Sequence, residues 1–182
     1  ERCNAEMLSW TSRELHEPIA TIHAEHPRGG HMACAGSSTQ AQGLLSTLMI
    51  CVGARVTFNW NGWVSRGVVN GLKGIVLEIV YAEGEAPPSL PLVVFVACTK
   101  YRGESFDETY SVAPSEREDE ILGFAGYRAG QVGVVAVQPI GRTWEASRGG
   151  KQVTCERKQL PLDLAFAVSI HKGQGSTFGP DE

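Results

Sequence analysis

The stretch from His171 to Thr177, His-Lys-Gly-Gln-Gly-Ser-Thr, concentrates polar chemistry in a few residues. Glycines at 173 and 175 let backbone N–H groups approach an anion closely. Lys172, the His171 imidazole and the hydroxyls of Ser176 and Thr177 add donors around it. Together they suit a phosphate, either a nucleotide's or that of a nucleic-acid backbone. Gly-rich strand exits are common, so the residue types alone leave a plain surface loop open. Two other stretches carry potential chemistry and are set aside. Arg148 to Val153 contains Gly-Lys, but no Ser or Thr follows Lys151 and the earlier Gly of a Walker loop is missing. His23, His26, His31 and Cys34 fall in a short span. No pair there has a finger spacing supported by a second cluster, so a polar loop is preferred to zinc.

An element must deliver the 171–177 knot, and the alternating apolar run Ala165 to Ile170 reads as the end of a buried strand. Upstream, residues 4–16 read as a helix, with Asn4 as N-cap and Met7, Leu8, Trp10 and Leu15 on one broad face. Residues 27–38 read as a Gly- and Ser-rich loop, and residues 43–50 as a helical turn or a strand. From residue 51 the pattern turns to short strands. Asn70-Gly71 between apolar runs is a tight-turn signal, and Ile75, Leu77 and Ile79 alternate with Val76, Glu78 and Val80. Further strands are expected in 90–99, 131–140, 151–160 and 162–170, with no helix between 55 and 158. That pattern predicts a small antiparallel barrel. The flanking pieces are too small for separate cores, so one α/β domain interrupted by the barrel is the simplest organisation.

The chain has 182 residues, a formal net charge of −4 and 42% hydrophobic residues, an ordinary soluble composition. No apolar run reaches a membrane span, and no signal peptide is visible. Five cysteines, an odd and scattered set, argue against a disulfide framework and for a reducing interior. Cys51, Cys98 and Cys155 sit in apolar surroundings and read as core residues. Residues 104–120 carry a local charge of −6 and residues 142–158 a charge of +3. Such runs are ordinarily solvated faces, although a basic groove beside an acidic loop is also open.

Several strings, in order, resemble the C-terminal part of Pif-one-type and RecD-type DNA helicases of superfamily 1B. They are VGARVTFNWN, SRGVVNGLKGIVLEIVY, PPSLPLVVFV and RKQLPLDLAFAVSIHKGQGSTF, covering about residues 45–178. The last contains the family's motif V. The resemblance implies a partial RecA-like P-loop helicase domain, 2A, with an inserted SH3-like antiparallel β-barrel, 2B. Residues 1–44 would be the N-terminal piece of 2A, 45–158 the barrel, and 159–182 the return to 2A with motif V, truncated.

The function implied is ATP-dependent 5′-to-3′ DNA unwinding, in a setting of DNA repair and recombination. ATP and Mg2+ would serve the parent enzyme, with none bound by this segment alone. The implied partners are single-stranded DNA, duplex junctions and the missing RecA-like domain 1A, with no membrane. Carried over by position, His171, Lys172, Gln174 and Thr177 contact nucleic acid, while Gln174, Gly175 and Ser176 couple the strand to the nucleotide. Two departures are Gly173 where the family has Ser, and Ser169 where it has Thr; the first removes a hydroxyl donor from the motif. Arg55 and Asn70 are further nucleic-acid candidates, although Asn-Gly is also simply what a tight turn demands. Arg157 and Lys158 either line the strand's path or solubilise the surface. Trp60 and Trp63 either stack bases or, the preferred reading, pack the barrel. No Walker lysine, magnesium-binding acidic motif or arginine-bearing motif VI is found, so the chain reads as a fragment or truncated product without ATPase of its own. Its compartment would be intracellular: nucleus or mitochondrion in a eukaryote, cytoplasm in a bacterium. The alternative function is a non-catalytic SH3-like module that binds nucleic acid or protein.

Overall fold

The computed structural model describes residues 2–103, 116–128, 132–148 and 150–166. Helix α1 (Arg2–Glu14) is followed by β1 (Ala20–His23), α2 (Gly30–Ala35), β2 (Thr47–Ile50) and β3 (Arg55–Phe58). A 3-10 turn (Val64–Arg66) leads into β4 (Lys73–Val80) and β5 (Val93–Cys98). Then come α3 (Glu116–Phe124), β6 (Gly133–Val137), β7 (Ile140–Arg148), β8 (Lys151–Gln159) and β9 (Leu162–Leu164).

The expected first helix is present, but Asn4 lies inside it rather than at its cap, and its side-chain Nδ2 donates to the Leu164 carbonyl at 3.3 Å. Only Leu8 and Thr11 of α1 are buried. Trp10 leaves the core side and stacks on Phe124 of α3, with ring centroids 5.1 Å apart. Residues 47–50 resolve as a strand, because Leu48 and Ile50 pair with Ile22 and Ala20 of β1 and bury the same face.

Five strands form one antiparallel sheet in the order β6-β5-β4-β3-β9. Its two faces bury separate apolar sets, as a period of two requires. Val56, Phe58, Val76, Val94, Val96, Val137 and Leu162 face the main core with Leu8, Ile22, Leu48 and Ile50. Ile75, Leu77 and Ala97 face the other way and meet Ile121, Leu122 and Ala125 from α3 and its C-terminal end. Burial on both faces explains the near-continuous apolar run of β4. A bulge between Val76 and Glu78 leaves Leu77 without a partner in β5.

Two expectations change. A helix does occur between residues 55 and 158: α3 begins within the acidic run, where carboxylates 118–120 near its N-terminus complement the helix dipole. It was hard to read because few of its residues are apolar. The described strands also do not close into a barrel; β7 and β8 pair as a separate two-stranded ribbon. That ribbon is fastened to the N-terminal segment through reciprocal Glu25 and Lys158 backbone bonds of 3.0 and 2.8 Å.

Among the described residues, no helix is long and apolar enough to cross a membrane. Cys51, Cys98 and Cys155 are buried as expected. Burial pushes the Cys51 and Cys98 thiols up to about 11 and about 12, so they stay protonated core groups.

Candidate nucleic-acid interface

Arg55 opens β3, and the antiparallel register of β3 with β9 brings the end of β9 beside it. Val56 pairs with Leu164, and the Ala165 amide donates to the Arg55 carbonyl at 2.8 Å. β9 therefore ends at Arg55's end of β3. The Arg55 guanidinium donates to the Ala125 carbonyl at 2.9 Å, just past the C-terminus of α3. A cation suits that end of a helix. Arg55 thus ties α3 to the edge at which β9 ends.

Asn70 lies at the other end of β3, about 10 Å away along the strand. The Leu72 amide bonds the Val69 carbonyl at 3.0 Å, closing the turn around Asn70-Gly71, and Gly71 has φ +88°, which Gly adopts without strain. The Asn70 side is exposed, and its backbone N–H donates to Asn61 Oδ1 at 2.8 Å. The structure brings Arg55 to the exit of β9 and keeps Asn70 apart from it. His171, Lys172, Gln174, Gly175, Ser176 and Thr177 lie outside the described residues.

Between β3 and β4 the chain makes an excursion, residues 59–71. The Gly62 and Trp63 amides both donate to the Val68 carbonyl at 3.1 Å, and the Val68 amide returns a bond to the Trp63 carbonyl at 3.1 Å. Arg66 N–H bonds the Trp63 carbonyl at 2.9 Å, and Arg102 N–H bonds the Arg66 carbonyl at 2.8 Å. The backbone is therefore fixed, yet Trp63 is 54% exposed, with the Arg66 guanidinium 4.8 Å from its ring centroid. Packing inside a barrel, the reading preferred for Trp63, is overturned. The i, i+3 spacing of Trp63 and Arg66 before Gly67 was the signal available in the sequence.

Within the basic run 142–158, Arg157 turns inward rather than lining a groove. Arg157 has 0% exposure and donates to the carbonyls of Leu44 at 2.9 Å, Ala33 at 3.2 Å and Gly36 at 2.7 Å, and to His26 Nε2 at 3.3 Å. Burial lowers its pKa, but a guanidinium stays charged in proteins. His26 is held below its ordinary range by burial and then by the Arg157 charge, against a backbone hydrogen bond with Ala24. Lys158 sits 3.5 Å from Glu25, and Arg28 pairs with Glu156 at 3.0 Å. Arg157 is thus a buried framework residue, not part of a strand's path.

Gly29, with φ +87°, lets the turn before α2 press on β8: a Cβ there would meet the Cys155 Sγ at 2.7 Å. No group of three or more His, Cys, Asp or Glu among the described residues could hold a metal ion. A cavity of about 620 Å³, lined in part by Glu17, Leu77, Tyr81 and Arg117, has neither Arg55 nor Asn70 in its lining.

No family model matches the chain. The human ATP-dependent DNA helicase PIF1 is 32% identical over 166 residues, which cover 91% of this chain and 19% of that protein. The Danio rerio ATP-dependent DNA helicase PIF1 is 31% identical over 71% of this chain and 14% of its own length. The chain thus spans less than a fifth of these relatives. Among solved structures, the Candida albicans Pif1 helicase superposes with a TM-score of 0.54 at 18% identity, covering 97% of this chain and 34% of its own. Unliganded Pif1 from Bacteroides gives 0.52 at 19% identity, covering 96% and 41%. At those identities the structures show a common fold.

Proposed function

We propose, from the premise that the chain belongs to the Pif1-type helicases and matches their C-terminal portion, that it supplies single-stranded DNA contacts and ATP-to-DNA coupling to an ATP-dependent helicase. The observation that carries this reading is the sequence likeness across nine-tenths of the chain, 91% of it in the human relative. What supports it is that β9 ends beside Arg55, with the Lys- and Gly-rich stretch 171–177 following in the sequence.

In this reading residues 1–44 and 159–182 belong to domain 2A, and residues 45–158 form the 2B insertion, an SH3-like module. Lys172 and Thr177 hold DNA phosphate with His171, and Arg55 and Asn70 flank the strand. Gln174, Gly175 and Ser176 pass strand position to the nucleotide cleft. Direction is 5′ to 3′, and the setting is intracellular DNA, at single strands and duplex junctions. ATP and magnesium serve the parent enzyme, and this chain's sequence carries no Walker lysine. Their chemistry belongs to RecA-like domain 1A of the parent enzyme, so this chain alone turns over no ATP.

Fluorescence polarisation with a labelled single strand at two salt concentrations tests the proposal. Binding should weaken with salt, and Lys172→Ala should lower the salt slope by about one. Absence of binding, or binding indifferent to salt, would overturn it.

A further inference from the structure

We propose that Trp63 and Arg66 form a stacking platform for an unpaired base of single-stranded nucleic acid. This rests on the nucleic-acid reading above and assigns it a site that lies outside motif V.

An isolated apolar residue at a surface needs no explanation, but Trp63 at 54% and its neighbour Val64 at 66% exposure are contiguous. The ring is presented rather than left over. Both backbone polar groups of Trp63 are bonded within the 59–71 excursion, which is in turn pinned to residue 102. The Arg66 guanidinium lies over one face of the ring at 4.8 Å and orients it. With more than half of the residue in solvent, a planar group can reach the ring. Every base has a π-face, so such a ledge accepts a strand with little regard to sequence.

Charge selects the occupant. Arg66 lies over the ring, and Arg102, an exposed arginine, is joined to the excursion by its N–H bond to the Arg66 carbonyl. Gly67 packs against the segment that carries Lys100 and Arg102: a Cβ at Gly67 would meet the Lys100 carbonyl at 2.7 Å. The aromatic ledge thus carries one guanidinium on its ring and a second in the segment bonded to it, within a chain of net charge −4. That combination of a stacking ring and flanking cations fits a strand with bases and phosphates.

The test compares a labelled oligothymidylate with an abasic strand of the same length, using the full chain and its variants. Trp63→Ala should weaken oligothymidylate binding about tenfold and leave abasic-strand binding unchanged. Trp63→Phe should retain most of the affinity, and Arg66→Gln should weaken both strands. Circular dichroism confirms that each variant is folded. If the parent chain binds the oligothymidylate but Trp63→Ala binds it equally well, the platform is wrong while the nucleic-acid reading stands, and the patch fits a protein partner instead. If the parent chain binds neither strand, the broader reading falls and the platform with it.

Discussion

Arg157 approaches the Trp144 ring to 5.7 Å and Arg66 approaches the Trp63 ring to 4.8 Å, yet the two pairs are built for different purposes. Around Arg157 the chain spends three carbonyls and an imidazole nitrogen on a cation with no water contact. Those acceptors come from the segment 26–44, so one side chain of the β7–β8 ribbon organises a stretch with little regular structure of its own. Around Arg66 the guanidinium rests on a ring that faces solvent. The same two residue types hold the fold together in one place and offer a surface in the other. Burial and the identity of the acceptors decide which.

The largest effect that would sharpen this contrast is Arg157→Leu. Removing the guanidinium strips a hydrogen bond from the buried Leu44 and Ala33 carbonyls and from the part-buried Gly36 carbonyl, and urea unfolding should show a loss of about 3–5 kcal/mol. Arg157→Lys should recover only part of it, lacking the planar fork of donors. An unchanged midpoint would break the comparison.

Next is Gly29→Ala, which combines a left-handed backbone with a methyl group against Cys155. A loss of about 1–3 kcal/mol in the same assay is expected. Arg55→Gln loses a hydrogen bond at the end of α3 and should cost about 1 kcal/mol.

The pH dependence of His26 is a slope rather than a step. Its pKa is lower in the fold than in the unfolded chain, so the unfolded state binds the extra proton first. Its contribution is complete above about pH 6.5 and is lost as pH falls towards the folded value. Melting temperature should decline below that pH, and His26→Gln should flatten the decline. The smallest effect is on the open pair: Trp63→Ala should shift stability by no more than about 0.5 kcal/mol. A large loss there would mean that its exposure is not what distinguishes the two pairs.

How far the sequence could be read follows the same line. Strands announced themselves where alternation was local: Ile75 and Leu77 against Val76 name two faces within three residues. Asn70-Gly71 named its own turn, because φ at Gly71 is a local requirement. The 116–124 helix was obscured because its partner surface, Ile75, Leu77 and Ala97, lies on strands elsewhere in the chain. Arg157 was illegible for a stronger reason. Nothing near it in sequence marks it as buried, and its acceptors lie more than a hundred positions away, 113 in the case of Leu44. Trp63 misled because aromatics in a β-rich stretch are ordinarily core, and only the hydrogen-bonded excursion shows the ring turned outward. Of the candidate site, Arg55 and Asn70 could be placed in the fold, while the polar knot at 171–177 rests on its motif.

The seam between β3 and β9 also bears on how this chain is made. β3 is synthesised early, but its neighbour on that side emerges only after β4 to β8, and the Asn4 side-chain amide that meets Leu164 has waited across 160 positions. Closing so large a loop adds little to its free-energy cost, since that cost grows only with the logarithm of length, but such distant pairing slows the search. Until β9 arrives, β3 presents unpaired amides and carbonyls along one edge, and a chaperone or another nascent chain could reach them first.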